Sequence, residues 1–517
     1  MQDCSRRKFL RALAAVGAAC VSPALRAQQP VRFADDPFRL GVASGYPRPD
    51  GAVIWTRLAS DIAQANGGID PVAIPVRWEV ARDERFASIA ASGCVDAAPE
   101  WAHAVHVEPV GLEADRWYWY RFIAGGAASP VGRMRTAPGA DANPARLRFA
   151  FASCQQYEQG WYSAYRHMLG DDLDLVVFLG DYIYESSWGR EHVRKHNRTE
   201  AYTLEDYRAR HALYKSDPDL QAAHQAYPWI FTWDDHEVDN DYANDRPEDG
   251  MPAAQFLARR ANAYKAYYEH MPLPSDMRPD GPNMRIYTDI AWGRLAQFHI
   301  VDDRQYRDYQ VCPKKPGGSN VVDPEMCKEL RDASRSLLGA KQEAWLERGF
   351  AASRAQWNIL AQQTLMAQLD HRVGEGQRFW TDGWNGYPAA RKRLLESMAP
   401  RRLANPVVIG GDVHMHYVAD LKPDFDDEKS PVVASEFCGT SISSQGPSQK
   451  SVDALLPENP HIKLARSEHR GYVRATVGGG TFSADLIALD TVKRQDSKAS
   501  VLARFVVEDG KPGPQRA

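Results

Sequence analysis

The sequence predicts a chain of two parts with different fold classes: a β-sandwich over residues 33–138, then a mixed α/β and α+β domain over residues 145–510. In the first part, short runs of alternating apolar and polar residues are separated by clusters of Gly, Pro and Asp. In the second part, wholly apolar runs typical of strands buried on both faces occur between segments with helical spacing. At 517 residues, the chain also exceeds the size of one typical core.

Residues 1–27 have the pattern of an export signal. The string Ser-Arg-Arg-Lys-Phe-Leu precedes an Ala-rich apolar run that ends near Ala24. Because this run is shorter than the roughly 20 residues that a membrane-spanning helix needs, we expect a signal that is removed near Ala24 or Ala27, and no stable membrane anchor. The string resembles a twin-arginine (Tat) signal. That resemblance implies the Tat export machinery as a partner and a periplasmic or secreted protein.

Charge and cysteine content narrow the possible partners. The 63 basic and 67 acidic residues give a formal charge of −4, so we expect no nucleic-acid partner. Seven cysteines include two within residues 1–27. Cys312 and Cys327 flank a loop rich in Pro and Gly, and we expect them to form a disulfide. The count that remains is odd, so at least one thiol has no partner in an oxidising compartment. Cys154 is the thiol that needs an explanation.

The first part contains several short predicted strands. Residues 53–56, 76–80, 103–110 and 117–122 each have the composition of a strand, and their spacing is typical of a sandwich of roughly seven strands. The aromatic residues in 117–122 alternate with other residues, which favours burial on one face of the strand over a carbohydrate-binding surface.

In the second part, the apolar run 175–179 predicts a buried strand, and Gly180 allows a sharp turn after it. Asp181 therefore lies at the carboxyl end of a strand, which is the edge where open α/β sheets bind ligands. Tyr184 follows three residues later. A carboxylate and a phenol at this spacing suit a hard cation, and phenolate in particular suits ferric iron.

Chemically reactive residues follow three further predicted strands. They are Cys154, Asp235 with His236, and Asp412 with His414. Crowding so many acids after one strand without a cation would cost several kcal/mol. Each motif alone also has a simpler interpretation: a capping Asp, a buried structural Cys or a solvated acidic loop.

The ordered set of motifs resembles the calcineurin-like metallophosphoesterases, and in detail the PhoD family of alkaline phosphatases. The resemblance extends from about residue 35 to 510. The matching segments are SCQ at 153–155, GDYIYE at 180–185, TWDDHEVDN at 232–240, GGDVH at 410–414, and the segments 38–45, 53–58, 302–307 and 360–363.

This resemblance implies an immunoglobulin- or fibronectin-like β-sandwich in front of an α/β/β/α core, with Fe³⁺ and Ca²⁺ in the site. It implies that Cys154, Asp181 and Tyr184 hold iron and that Asp181 also bridges to a second ion. The remaining implied site residues are Asp412 and His414 in the last metal motif, Asp235 and Asn240 facing the second metal, His236 on the phosphate or the leaving oxygen, and Arg304 on the phosphate.

The implied reaction is hydrolysis of small-molecule phosphate esters, mono- or diesters, by a metal-bound hydroxide. The sequence contains neither a Gly-x-Ser-x-Gly elbow nor a Gly-rich phosphate loop, which disfavours a serine hydrolase and an ATP user. Three alternatives remain open: a phosphodiesterase of phospholipase D type, a non-catalytic metal-binding adhesion protein, and an iron oxygenase.

The other segments are predicted to be scaffold. Residues 254–271 and 337–350 have the spacing of amphipathic helices. The aromatic segment 379–388 either lines the site and selects the organic group of the ester, or packs a loop. The tail after residue 507 is predicted to be disordered. No terminal helix is evident, so we expect an open pocket that accepts larger esters.

Overall fold

A computed structural model describes residues 32–399 and 402–517. Strands and helices are numbered below in chain order. The predicted signal, residues 1–27, lies outside the described residues. Within the described ranges, no helix is both long enough and apolar enough to cross a bilayer.

The first of two large sheets has ten strands in the order β24-β23-β22-β21-β9-β10-β11-β1-β2-β5. Its central strands β9, β10 and β11 are parallel, so their carboxyl ends share one edge. The predicted apolar runs form these three strands. The bounds are β1 Val42–Arg48, β2 Gly51–Arg57, β5 Ala104–Val107, β9 Arg146–Ala152, β10 Leu175–Leu179, β11 Pro228–Thr232, β21 Gly471–Gly478, β22 Thr481–Leu489, β23 Ala499–Glu508 and β24 Lys511–Arg516.

The second large sheet has seven strands in the order β12-β13-β15-β17-β19-β18-β20. It contains the fourth predicted apolar run as β17, which is parallel to both of its neighbours. The bounds are β12 Thr288–Trp292, β13 Ala296–Ile300, β15 Trp357–Ala361, β17 Pro406–Gly410, β18 His416–Leu421, β19 Ala434–Cys438 and β20 Ile462–Arg466.

The two sheets pack face to face through one hydrophobic core. Phe149 of β9 contacts Phe298 of β13 edge to face, with ring centroids 5.2 Å apart. Phe482 of β22 stacks on Phe437 of β19 at 5.6 Å. Aromatic pairs of this kind contribute about 0.5–1.5 kcal/mol beyond their buried area. The contacts hold the two sheets in a fixed relation, which positions the strand ends described below.

The N-terminal region supplies a third sheet of five strands, in which β3 lies between β4 and β6, and β6 also pairs with β7 and β8. In β6 every second residue is buried, which confirms the predicted burial of one face. The bounds are β3 Ile74–Ala81, β4 Ile89–Ala97, β6 Trp117–Ala124, β7 Ala127–Ala128 and β8 Gly132–Arg135.

The predicted mixed fold with an N-terminal β-rich region is confirmed, and part of that region also joins the first large sheet. Strand β1 pairs in parallel with β11, with Ser44 opposite Pro228, so β1, β2 and β5 extend the first large sheet. An alternating pattern shows that a segment is a strand, but it does not show which distant strand it will pair with. The boundary between residues 138 and 145 stays a prediction.

Seven α-helices and a short ladder complete the described fold. The two helices predicted at 254–271 and 337–350 are confirmed as α4 and α5, although α5 begins only at Ala340. Helix α2 begins with a capping box between Thr203 and Asp206, which satisfies free backbone N–H groups. The bounds are α1 Ser163–Met168, α2 Leu204–Lys215, α3 Pro218–Ala226, α4 Ala253–His270, α5 Ala340–Ala352, α6 Pro388–Ser397, α7 Gln449–Leu455, and the ladder strands β14 Val321–Val322 and β16 Phe379–Trp380.

Two predictions about the loops and the tail have opposite outcomes. The disulfide between Cys312 and Cys327 is confirmed. The predicted disorder after residue 507 is wrong, because β23 and β24 form an antiparallel hairpin at the edge of the first sheet. Gly510 has φ of 74° and makes the tight turn between them. The many Pro and Gly residues of this tail belong to an edge strand, where a missing N–H is tolerated.

Candidate metal centre

The four predicted strand ends meet at one place. Parallel pairing aligns the ends of β9, β10 and β11 in the first sheet, and the end of β17 approaches them from the second sheet. The approach is close: a Cβ added at Gly411 would lie 2.3 Å from Oγ of Ser153, which would require something to shift. The glycine after β17 therefore lets the two sheets bring their polar ends together.

The residues at these strand ends share an unusual backbone conformation. Cys154, Asp181, Asp412 and His414 have φ between 54° and 63°, in the left-handed region that non-glycine residues rarely adopt. Each such residue costs of order 1–3 kcal/mol, and such residues cluster at functional sites. The shared strain indicates that the four side chains are held where local backbone preference would not place them.

One group of donor atoms lies between the sheets. Ligand atoms of Cys154, Asp181 and His414 all lie within 4.8 Å of one another. The phenol of Tyr184 donates to Oδ2 of Asp181 at 2.8 Å, and its oxygen lies 3.3 Å from Nε2 of His414. Nδ1 of His414 lies 2.8 Å from the carbonyl oxygen of Gln445, an arrangement that orients Nε2 toward the other donors.

Without a cation, burial favours the neutral forms of these donors. Burial, together with the charge of Asp181, raises the pKa of the Cys154 thiol and of the Tyr184 phenol well above their usual ranges. Burial also lowers the pKa of His414 to about 3, which keeps the imidazole neutral and able to act as a ligand. Sulfur, phenol, carboxylate and imidazole together suit a transition-metal ion better than Mg²⁺ or Ca²⁺.

A second group of donor atoms shares one carboxylate with the first. Ligand atoms of Asp181, Asp235 and His236 lie within 4.8 Å of one another. Asp181 therefore belongs to both groups, as a bridging ligand would. Nδ1 of His236 lies 2.7 Å from Oε2 of Glu185. Burial opposes protonation, but the carboxylates of Glu185 and Asp235 raise the pKa of His236 well above its usual value.

Several buried oxygens at the site have no hydrogen-bond partner. A bound cation would satisfy such oxygens, so they indicate whether a cation fits here. They include Oδ1 of Asp181, Oδ1 of Asp235 and Oδ2 of Asp412. An unsatisfied buried polar atom costs about 1–3 kcal/mol, more for a charged group, and buried oxygens in native proteins are nearly always satisfied. Burial raises the pKa of Asp412 to about 8. The residues present fit bound cations.

A third group of donor atoms contains two residues, Asp241 and Asp382, that were not among the predicted site residues. Carboxylate oxygens of Asp235, Asp241 and Asp382 lie within 4.8 Å of one another. Asp382 follows the two-residue strand β16 rather than a long apolar run, so only its position in the aromatic segment 379–388 distinguished it. Asn240 precedes Asp241 in the chain, and its side-chain N–H donates to Oε2 of Glu248 at 3.0 Å.

Arg304 lies beneath the site and not in its opening. The side chain is fully buried, and the guanidinium ion-pairs with Asp234, with Asp382 at 2.8 Å and with Asp235 at 3.6 Å. Arg304 does not line the cavity. Buried carboxylates surround this charge, and the predicted contact of Arg304 with substrate phosphate stays a prediction.

A cavity of about 380 Å³ opens above the donor groups. Its floor includes Asp181, Asp235, His236, Asp412 and His414, and Asn240 lies at its side. All predicted site residues except Cys154, Tyr184 and Arg304 line it, and the first two lie directly beneath, within reach of Asp181. The volume is within the range of roughly 300–1,000 Å³ that is typical of small-molecule sites.

Comparison with known proteins agrees with this geometry. The profile described as "PhoD-like phosphatase" matches residues 149–486, and the profile described as "PhoD-like phosphatase, N-terminal domain" matches residues 24–138. The chain belongs to the PhoD-like phosphatase family. It is 45% identical over 491 residues to alkaline phosphatase D of Bacillus subtilis (strain 168), covering 93% of this chain and 82% of that protein.

A solved structure of PhoD superimposes on this chain with a TM-score of 0.89 and 44% identity, covering 94% of this chain and 93% of the other. The family and these relatives show that this PhoD-like protein is a hydrolase of phosphate esters, an alkaline phosphatase. The family is metal-dependent, and the three donor groups are candidate places for the metals.

Proposed function

We propose that the protein is an exported alkaline phosphatase that uses Fe³⁺ and Ca²⁺ to hydrolyse phosphate mono- and diesters. The observation that supports this most is the position of Asp181, whose carboxylate belongs to both the Cys154–His414 group and the Asp235–His236 group. A carboxylate shared between two donor sets is the arrangement of a two-metal site, in which both the attacking and the leaving oxygen are stabilised.

In this proposal, Cys154, Asp181 and Tyr184 together with His414 would hold iron. Asp235, Asn240 and Asp412 would offer oxygen donors to calcium. The division follows ligand chemistry, since thiolate and phenolate favour Fe³⁺ and carboxylate or amide oxygens favour Ca²⁺. When bound, the cations lower the pKa of a water molecule in the site and neutralise charge on the phosphate.

His236 is the proton donor in this proposal. Glu185 lies 2.7 Å from its Nδ1, fixes the orientation of the ring and stabilises the charged imidazolium. Burial opposes protonation of this imidazole, but the carboxylate of Glu185, which is not among the proposed metal ligands, favours the protonated form and raises its pKa. A protonated imidazole that lines the cavity can give its proton to the leaving oxygen of the ester. Arg304 holds Asp234, Asp235 and Asp382 in position from below.

Export is the part of the proposal that depends on the sequence alone. The twin-arginine string before residue 10 is of the type recognised by the Tat machinery, which exports folded proteins. A site whose ligands come from four separate strands forms only when the chain is folded, so export after folding would allow metal insertion beforehand. Lysine replacement of Arg6 and Arg7 should retain the protein inside the cell, as fractionation would show.

The central experiment compares His236→Asn with the matched control His299→Asn. Both histidines are buried, and Nδ1 of His299 also lies close to a carboxylate, 2.6 Å from Asp289. Only His236 lines the cavity. With an aryl phosphate as substrate, we expect kcat to fall about 10²–10⁴-fold in His236→Asn and to change little in His299→Asn.

Asp181→Asn should remove both activity and bound metal, as measured by elemental analysis and by the visible absorption of Fe³⁺ bound to tyrosinate or thiolate. Full activity in His236→Asn and in Asp181→Asn would overturn the proposed mechanism. A colourless, iron-free protein that remains active would overturn the iron assignment alone.

A second candidate, a phosphodiesterase of phospholipase D type, uses the same metals. The 380 Å³ cavity favours testing it, because this volume leaves room for a second organic group beside the phosphate. Turnover of a bis-aryl diester against the corresponding monoester separates the two activities.

A further inference from the structure

Part of the lining of the cavity above the donor groups is apolar and has no role in the proposed metal chemistry. We refer to these residues together as the apolar wall: Trp188, Leu365, Leu369, Trp380, Val413 and Met415. A phosphoryl group needs cations and hydrogen-bond donors, which the floor supplies, and it gains nothing from an aliphatic and aromatic surface. The apolar wall therefore faces another part of the substrate.

Trp380 is the large side chain of the apolar wall whose position the fold fixes most clearly. It lies in β16, which pairs antiparallel with β14, so that Trp380 is opposite Val321 and Phe379 is opposite Val322. Successive residues of a strand point to opposite faces. Phe379 is buried in a small core with Cys327 and Val322, whereas Trp380 is only half-buried and lines the cavity.

The indole N–H of Trp380 is already satisfied by the protein. It donates to Oγ of Ser319 at 3.0 Å. The neighbouring Thr381 exchanges hydrogen bonds with Asn320 through its backbone N–H and its hydroxyl, at 2.9 Å each. Since the N–H is used, the ring presents an apolar surface to the cavity and has no free donor for a polar substrate group.

These contacts connect Trp380 to the disulfide. Ser319, Asn320 and Val321 all belong to the segment 312–327 that the disulfide closes. The side chain of Asn320 donates to the carbonyl oxygen of Cys312 at 2.9 Å. The closed segment thus acts as a support for the ring, which lowers the entropy lost when a ligand packs against it.

We propose that Trp380, supported by the disulfide-closed segment 312–327, is a specificity-determining residue that binds the organic group of the ester. The site accordingly prefers phosphate esters of aromatic or aliphatic alcohols to those of polyols. This inference rests on the proposed phosphatase function and specifies its substrate class. The preference arises because apolar surface of the alcohol leaves water when it packs against Trp380 and its aliphatic neighbours, whereas a polyol has little such surface to bury.

The test compares benzyl phosphate with glycerol 3-phosphate, because both release a primary alcohol and so differ little in intrinsic reactivity. In the wild-type protein, we expect kcat/KM for benzyl phosphate to exceed that for glycerol 3-phosphate by roughly tenfold or more, the size of effect that small changes in an apolar pocket produce. Trp380→Ala should abolish this preference, mainly by raising KM for benzyl phosphate, and should leave kcat/KM for glycerol 3-phosphate within about twofold.

Two further variants separate packing from structural damage. Trp380→Phe keeps a ring but loses the bond to Ser319, and it should keep most of the preference. The double variant Cys312→Ser/Cys327→Ser should shift KM for benzyl phosphate toward the value of Trp380→Ala. Bound metal, measured in each variant, should equal that of the wild-type protein, because none of the three residues is a proposed ligand.

The outcomes are distinguishable. If the wild-type protein hydrolyses neither of these monoesters nor the bis-aryl diester, the proposed function itself is wrong. If it hydrolyses both with a ratio that Trp380→Ala leaves unchanged, Trp380 does not determine specificity and the inference is overturned, while the phosphatase function stands. Equal loss of activity toward both esters in Trp380→Ala would assign the residue to site integrity and would also overturn the inference.

Discussion

Replacing Lys215 by Met should stabilise the protein at neutral pH. Lys215 is at the end of helix α2 and is 2% exposed. Its Nζ lies 4.4 Å from the centre of the Trp55 ring in β2 and 5.7 Å from that of Tyr182. The residue therefore sits where an N-terminal strand of the first large sheet packs against the helices. Met keeps the length and apolar stem of the side chain and removes the charge.

The magnitude follows from proton linkage. Burial lowers the pKa of Lys215 from 10.5 to about 7. Between these values, the unfolded chain carries a proton that the folded protein does not, so the wild-type free energy of unfolding rises with pH by about 1.4 kcal/mol per pH unit. Below pH 7 the full penalty of about 5 kcal/mol applies. At pH 7, where about half of the folded protein carries the proton, the expected gain in the variant is about 4 kcal/mol.

The assay is urea denaturation of the wild-type protein and of Lys215→Met at pH 7 and at pH 9.5. The variant should be more stable at pH 7, and most of the difference should vanish at pH 9.5. Lys265→Met is the matched control, because Lys265 also faces a tryptophan, with Nζ 5.0 Å from the Trp101 ring, but is only half-buried. A gain that does not change with pH, or an equal gain in the control, would refute the reasoning.

Two other substitutions have clear expected effects on stability. Arg304→Met leaves the carboxylates around it without a counter-charge and should lower the free energy of unfolding by about 3–5 kcal/mol. An unchanged melting temperature in the metal-loaded protein would show that bound cations already supply that charge. Cys312→Ser/Cys327→Ser opens a loop closed across a sequence separation of 15 residues and should cost about 3 kcal/mol, which urea denaturation of the wild-type protein with and without reductant should reproduce.

The strands that form the site could be predicted because their sequence signal is local. Strands β10, β11 and β17 are five-residue runs buried throughout, and β9 changes from an alternating to an apolar pattern before its end. A strand that is buried on both faces has a continuous run of apolar residues instead of an alternation of apolar and polar residues. Pairing partners are set by contacts far apart in sequence, so the union of β1 with β11 could not be predicted. The hairpin at residues 499–516 was missed for a related reason, since an edge strand tolerates a composition that otherwise indicates disorder.

The site itself separates into residues that local sequence reveals and residues that only the fold reveals. Asp181 and Asp412 directly follow apolar runs, and their positive φ values show that the turn after the strand aims the carboxylate. Glu185 and Asp382 have no such signal. Glu185 is defined by its position against His236, and Asp382 by its proximity to Asp235.

Arg304 shows that a sequence motif does not reveal what a charged side chain will contact. Its segment resembles a family motif, which suggested contact with substrate, yet the fold surrounds it with acids. A site of this kind needs a positive charge below the metal ligands, because carboxylates gathered from several strands repel one another while the chain folds and before any cation binds. A motif can indicate that a charged residue belongs to a site, but only the packing around it determines whether that charge meets the substrate or the ligands.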